Sequence, residues 1–178
     1  MIELYSKMRS VKRFHHEPTL RTQNLLEHSG MVALLFIYFA KYEAIEYDAS
    51  VLELLLKHDL LETYTGDLPY PAKNHNQLTK DCWGAIEEAI IQDSAYSDID
   101  GCPLLRRYTD EKIKETLSER QYKLFKVVDL LDIWIFLKED QALGNHTSAC
   151  NRIIELCESK VSGLFRSVDH YMRNANHF

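Results

Sequence analysis

The sequence predicts an all-α protein, one domain over residues 1–178 built from about six or seven helices around a single core. Three observations carry that expectation. Glycine (6) and proline (4) are scarce, so few positions favour turns. Apolar residues recur at three- and four-residue spacing behind recognisable helix caps. No stretch of useful length alternates apolar and polar residues as a half-buried strand would. With 178 residues, 46% of them hydrophobic, the chain has apolar material for a real core.

Composition narrows the function classes. A formal net charge of −6 argues against a general nucleic-acid or membrane surface, where a positive field is needed. A small anionic substrate stays compatible, because a bound cation and a few Lys and Arg can make one pocket positive. The cysteines Cys82, Cys102, Cys150 and Cys157 form no C-x-x-C pair. They read as reduced thiols in a cytoplasmic compartment. Met1-Ile2-Glu3-Leu4-Tyr5 does not open a signal peptide, and the longest apolar run, Met31 to Ala40, is too short to span a bilayer.

Each element follows in order. Leu4, Met8 and Val11 predict a first helix over 3–14, ending in the basic run Lys12-Arg13-Phe14-His15-His16 before Pro18. Asn24-Leu25-Leu26-Glu27 has the form of a capping box and opens a second helix to about Glu43, with His28 in its first turns. A third helix starts near Asp48 or Ser50, with Ser50-x-x-Glu53 as its capping box, and runs to about Tyr64. Gly66 suits its C-terminal turn, and Pro69 and Pro71 stiffen the loop beyond. Residues 77–92 form a fourth, amphipathic helix, and 94–108 read as a loop. Thr109 caps a short helix. Ser118-x-x-Gln121 caps the next, which carries Phe125 to Leu137 and stops at Gly144-Asn145. Thr147 caps a last long helix reaching about Asn174.

Several polar residues stand where this scaffold calls for apolar ones. The Leu-rich stretch from Leu54 runs straight into His58-Asp59, with Glu62 one turn on. On a continuous helix all three share a face. Burying an imidazole and two carboxylates there is costly unless they pair or bind a cation. His28 and Asp129 pose the same problem on two other apolar helices. A lone His-Asp pair is more often a helix end that has reached solvent; three such helices together favour a site. His28, His58, Asp59 and Asp129 suit a hard to borderline divalent ion, one of Co, Mn, Zn, Mg, Ni or Fe. Such a mixed site keeps positions open for water and a phosphate oxygen, and Glu62 would lie close to the reacting water.

The order H…HD…D resembles the HD-domain superfamily of metal-dependent phosphohydrolases. The likeness is to the bacterial 5'-deoxynucleotidases and the shorter phage dATP triphosphohydrolases, and it runs from about Arg13 to Asn145. Arg21-Thr22-Gln23-Asn24-Leu25-Leu26-Glu27-His28-Ser29 is similar to the family's R-T-x-N-x-x-E-H-S segment. The stretch from His58 to Lys73 is similar to its H-D-x-x-E-x-x-T-G-D-x-P-x-P-x-K segment, and Lys126-x-x-Asp129 to its K-x-x-D helix. A bare HD pair is a weak signal, whereas the extended segment at this spacing is a strong one.

The resemblance implies a helical HD-domain bundle around a buried metal held by His28, His58, Asp59 and Asp129. It implies catalytic roles for Glu62, which would orient or deprotonate a water, and Asp67, which would protonate the leaving 5'-oxygen or hold the sugar. It implies substrate contacts from Arg13 and Lys73 to phosphate and from Phe14 to the sugar. Phe14 stands where the bacterial nucleotidases have Trp, so the steric bar against a 2'-hydroxyl is the inference this departure weakens most. Asp132 lies outside the pattern. It reads as a carboxylate reaching solvent, with a place behind the metal ligands as the alternative.

The preferred reading is hydrolysis of dATP to deoxyadenosine and triphosphate, supported by the cationic set Lys12, Arg13, His15, His16 and Lys73. One alternative is a 5'-deoxynucleotidase acting on deoxynucleoside monophosphates. The other is a metal-bearing HD module without catalysis, against which the presence of Glu62 and Asp67 argues. A single-strand nuclease is disfavoured by the acidic charge. The expected partner is a small deoxynucleotide, with no membrane, and the long apolar helices and the family point to a homo-oligomer.

Overall fold

Ser118 and Gln121 close a capping box at the head of the longest helix, α8 (Glu119–Ala142). The Ser118 hydroxyl accepts from the Gln121 N–H at 3.3 Å, and the Gln121 side chain accepts from the Ser118 N–H at 2.8 Å. Leu124, Phe125, Val128, Leu131, Trp134 and Leu137 follow and are all buried. One side of α8 packs on α2 (Leu25–Tyr42) and another on α9 (Ser148–Val161), while α2 packs on α3 (Ala49–Lys57). Phe36, Phe39, Phe125, Leu55 and Leu131 fill the space between them. This computed structural model describes residues 2–68, 70–73, 75–93 and 104–175.

The remaining elements wrap this centre: α1 (Ile2–Met8), α4 (Glu62–Thr65), α5 (Tyr70–Lys73), α6 (Gln77–Asp93), a 3-10 turn (Leu104–Tyr108), α7 (Asp110–Thr116) and α10 (Arg166–Asn174). The expected capping box at Asn24/Glu27 is present in both directions, at 3.0 Å each way, and Thr109 and Thr147 cap α7 and α9. No helix among the described residues is long and apolar enough to cross a membrane. Of the cysteines, Cys82, Cys150 and Cys157 are free thiols; Cys102 lies outside the described residues.

The structure departs from the sequence reading at several places, some for local and some for long-range reasons. The first helix ends at Met8 rather than at 14. Lys12–Arg13 forms β1 and pairs antiparallel with β2 (Gln23–Asn24), with Arg13 opposite Gln23. Phe14 then turns left-handed at φ 55°, held by its N–H donating to Asp67 Oδ2 at 3.3 Å, so a long-range bond overrides the local periodicity. The cap of α3 is Asp48, which accepts from the Ser50 and Val51 N–H groups; Ser50 is inside the helix, and no Ser50/Glu53 box forms.

The third helix breaks at Lys57. His58 is its C-cap, residues 58–61 turn, and α4 starts afresh at Glu62 and ends at Gly66, φ 75°. The stretch after Gly66 includes the short helix α5; Pro69 and residues 94–103 of the expected loops lie outside the described residues. The last long helix is two, α9 and α10, divided where Gly163 takes φ 78°.

Candidate active site

His28 enters the centre from the second turn of α2, which Asn24 and Glu27 start at a fixed point. It is fully buried. Its Nδ1 lies 2.6 Å from Asp132 Oδ2, so Nδ1 carries the proton and donates. Its Nε2 lies 3.1 Å from Asp129 Oδ1 and 3.5 Å from Asp59 Oδ2, yet makes no hydrogen bond. His58, at the end of α3, repeats the arrangement. Its Nδ1 donates to the Leu55 carbonyl at 2.7 Å, since a carbonyl can only accept, and its buried Nε2 has no hydrogen-bond partner. The two rings meet edge to face at 5.2 Å.

Two Nε2 atoms buried beside the same carboxylates, neither in a hydrogen bond, are an unfavourable arrangement unless a cation takes their lone pairs. Ligand atoms of His28, His58 and Asp129 all lie within 4.8 Å of one another. Asp59 Oδ2 lies 3.3 Å from His58 Nε2 and 3.5 Å from His28 Nε2. Two imidazoles and two carboxylates fit a divalent cation, and buried Nε2 atoms without hydrogen-bond partners suit one. All four sequence-predicted ligands therefore meet, brought together from α2, the turn after α3, and α8.

The electrostatics follow from this crowding. Burial opposes charge on Asp129, but the His28 imidazole and Lys126 hold its carboxyl well below the usual range. Asp59, equally buried, is held down by His58, His28 and Arg13. Burial and Arg13 work against protonation of His28, yet the carboxylates of Asp129 and Asp132 raise it to about 9 in the metal-free protein.

Arg13 reaches this cluster from β1. Its side chain is 10% exposed, and Nη1 lies 3.5 Å from Asp59 Oδ2. Nε and Nη1 are buried without a hydrogen-bond partner, two donors suited to an anion. Glu62 accepts from Lys73 Nζ at 2.5 Å through Oε1, while Oε2 is buried and unpartnered. Burial and the Asp59 charge push the Glu62 carboxyl up to about 7 against the pull of Lys73. Asp67 anchors the Phe14 backbone, and Phe14 lies flat on Phe136, rings 5.2 Å apart and 6° from parallel. Arg21 covers the Phe136 ring, its guanidinium carbon 4.9 Å from the ring centre.

Not every expected residue serves the site. Lys12, His15 and His16 are exposed; His15 contacts the Lys12 carbonyl and His16 contacts Glu17, so of the basic run it is Arg13 that meets the ligands. Asp132 does not reach solvent. It is 2% exposed, accepts from His28 Nδ1 and accepts from Gln23 Nε2 at 2.9 Å. Its partners lie more than a hundred residues away in sequence, so helical position alone could not place it. Phe136 carried no signal beyond its apolar character.

An all-α bundle that converges two histidines and two aspartates in the order H…HD…D defines an HD-domain phosphohydrolase. Solved structures agree on the fold. An HD-domain phosphohydrolase from Listeria innocua superposes with a TM-score of 0.78 at 17% identity, covering 97% of this chain and 84% of that one. The HD phosphohydrolase DatZ of cyanophage S-2L, bound to dA and one catalytic Zn2+ ion, superposes with a TM-score of 0.67 at 20% identity over 90% of this chain and 82% of that one. A sequence model of the YfbR-like 5'-deoxynucleotidases matches residues 1–174, and the chain belongs to that family. A 5'-deoxynucleotidase of Enterobacter sp. strain 638 is 28% identical over 177 residues, covering 94% of this chain and 85% of the relative. The 5'-deoxynucleotidase YfbR of Salmonella paratyphi B is 27% identical over 92% of this chain and 86% of its own. The protein is thus a hydrolase, and its relatives favour the monophosphate alternative over the triphosphate expectation.

Proposed function

We propose that this chain is a metal-dependent 5'-deoxynucleotidase, hydrolysing a deoxynucleoside 5'-monophosphate to the deoxynucleoside and orthophosphate. The observation that carries this reading is Arg13: two buried guanidinium nitrogens without hydrogen-bond partners, beside the converging ligand atoms. That is a clamp for one phosphate. Each of the cations here faces a carboxylate, Arg13 facing Asp59 at 3.5 Å, Lys73 Glu62, and Lys126 Asp110 and Asp129, but of the three it is Arg13 that keeps buried N–H groups without a hydrogen-bond partner. A triphosphate would bring further negative charge to a site whose remaining cations face carboxylates. The same inventory argues against the dATP expectation.

His28, His58, Asp59 and Asp129 would hold a divalent cation, which would supply Lewis-acid chemistry at the phosphoryl group and its attacking water. Arg13 donates to phosphoryl oxygens and gains strength as negative charge builds there. Glu62 Oε2, unpartnered, takes the proton of the attacking water. The bond from water oxygen to phosphorus forms as the bond from phosphorus to O5' breaks, and the proton Glu62 takes up balances the one the leaving oxygen needs. Lys73 orients Glu62 through Oε1. Asp67, with Oδ2 committed to the Phe14 N–H, fixes the sugar side rather than the water side. Phe14, backed by Phe136, forms a wall that leaves little room for a 2'-hydroxyl.

Product analysis tests the reading. Metal-loaded protein given each deoxy- and ribonucleotide as mono-, di- and triphosphate should release orthophosphate from deoxymonophosphates. Intact triphosphate from dATP, with deoxymonophosphates untouched, would overturn it in favour of the triphosphohydrolase. No release from any nucleotide would favour the non-catalytic module.

The same reading takes the protein as a cytoplasmic homo-oligomer. Met31, Leu34, Ile37, Tyr38 and Tyr42 make an exposed apolar face on α2, with Leu34 63% and Tyr42 62% exposed. Sedimentation should give a species larger than the 20.8 kDa monomer, and L34D should shift it toward monomer; a monomeric wild type would remove this part of the proposal.

A further inference from the structure

His28 is gripped from both sides by consecutive turns of one helix. Asp129 Oδ1 lies 3.1 Å from its Nε2, and Asp132 Oδ2, three residues on, lies 2.6 Å from its Nδ1. The two aspartates differ in surroundings. The Asp129 side chain is 20% exposed and faces Lys126 as well. The Asp132 side chain is 3% exposed, and both of its hydrogen bonds converge on the same oxygen, Oδ2: one from His28 and one from Gln23 Nε2 at 2.9 Å.

Gln23 completes the arrangement at a cost to itself. It is 7% exposed, in β2, directly before the Asn24 cap of α2. Its amide nitrogen goes to Asp132, and its amide oxygen is left buried without a partner. Losing a partner for a buried polar atom is unfavourable, and so is burying a carboxylate. The two sit together behind a histidine whose opposite nitrogen is also unpartnered and aimed at Asp129, Asp59 and His58.

We propose that Asp132 and Gln23 are positioning residues for the metal site: Asp132 fixes the His28 ring with Nε2 toward the cation and increases its donor strength, and Gln23 holds Asp132 in place. The inference rests on the proposed metal-dependent activity and extends it to residues outside the H…HD…D set. The physical basis is that a carboxylate on Nδ1–H fixes the tautomer, resists ring rotation and makes Nε2 a better ligand. Rotating the ring would part Nδ1 from the carboxylate and leave two buried groups unsatisfied. His58 makes the contrast within the same site: its Nδ1 donates to the neutral Leu55 carbonyl. His28 is therefore the imidazole with the anionic support, and the cation should depend on it more strongly.

The test is binding of Co2+ and Zn2+ alone, by competition with a chromophoric chelator, together with the visible spectrum of the Co2+ protein. D132A should weaken both ions about tenfold to a hundredfold and alter the Co2+ spectrum. D132N keeps an oxygen able to accept both hydrogen bonds and should lose only several-fold. Q23A should lie near D132N. Thermal melting of the metal-free proteins separates folding from ligation. If D132A does not fold, D132N and Q23A decide: wild-type affinity and spectrum in both overturns the proposal. Wild-type affinity in a folded D132A overturns it outright. A wild-type protein that takes up neither ion removes the metal site itself, and this inference with it, a result distinct from unchanged variants.

Discussion

Lys73 Nζ stands 2.5 Å from one oxygen of Glu62, and the other oxygen is buried with no hydrogen-bond partner. One half of the carboxylate is held and the other is free to act. E62Q keeps the shape and removes the basic oxygen, so kcat should fall on the order of a hundredfold to ten-thousandfold while the metal stays bound. Stopped product assays paired with metal content check it; metal-dependent turnover at the wild-type rate would remove Glu62 from the chemistry.

The same pair sets a pH dependence. Glu62 must be deprotonated to accept a proton, so activity falls as pH drops through its pKa. That value is about 7 in the metal-free protein, raised by burial and Asp59 against the pull of Lys73, and a bound cation lowers it. The acid limb of the kcat profile should therefore lie below pH 7. K73M removes the cation that stabilises the carboxylate and should move the limb to higher pH. A limb that moves down, or stays, contradicts the assignment.

Metal loading should release protons. In the metal-free protein burial and Arg13 oppose charge on His28, but Asp129 and Asp132 raise its pKa to about 9, so near pH 7.5 Nε2 is protonated. A cation needs that lone pair. Calorimetry in buffers of different ionisation enthalpy should detect about one proton released per ion from this group, with apparent affinity rising about tenfold per pH unit below 9 and levelling above. Uptake without proton release would mean that Nε2 is not a ligand.

Phe14 is stacked on Phe136, a pairing worth about 0.5–1.5 kcal/mol beyond its buried area. F14A should lower the ratio of kcat/KM for deoxy over ribo substrate about tenfold or more. F136A should do the same in weaker form by releasing Phe14, and the double variant should add little to F14A. An unchanged ratio in F14A would place sugar selection elsewhere.

Much of the site was legible in the sequence because its logic is local. His28, His58 and Asp129 are each a charge-bearing residue on an apolar helix, and that mismatch needs no knowledge of the fold. The Asn24 and Ser118 caps were legible for the same reason, being four-residue patterns. Glu62 is singled out by a continuous helix that the structure breaks at His58; the turn at 58–61, closed by bonds from the Leu60 and Glu62 N–H groups to the carbonyls three residues back, still leaves it within the field of Asp59. What stayed hidden depends on distant partners. Asp132 reads like any surface carboxylate until Gln23 and His28 are brought behind it. The left-handed turn at Phe14 is held by Asp67, and no local pattern records a bond across 53 residues.

Asp140 is a further case. It is fully buried and accepts from the Leu20 and Arg21 N–H groups at 3.0–3.1 Å and from Asn145 Nδ2 at 2.6 Å, fastening the segment before β2 to the end of α8. D140A leaves these donors unsatisfied and should cost roughly 3–5 kcal/mol of stability, read from denaturant midpoints. A loss under about 1 kcal/mol would show that water replaces the carboxylate.

The account stands on one cation held by His28, His58, Asp59 and Asp129. Its most direct test is add-back of a single metal to chelator-stripped protein, following orthophosphate from a deoxynucleoside monophosphate. Turnover should be lost on stripping, return in proportion to added ion, and saturate at one equivalent per chain, with H58A failing to recover. Full turnover in the stripped protein, or saturation unrelated to one equivalent, would contradict the account.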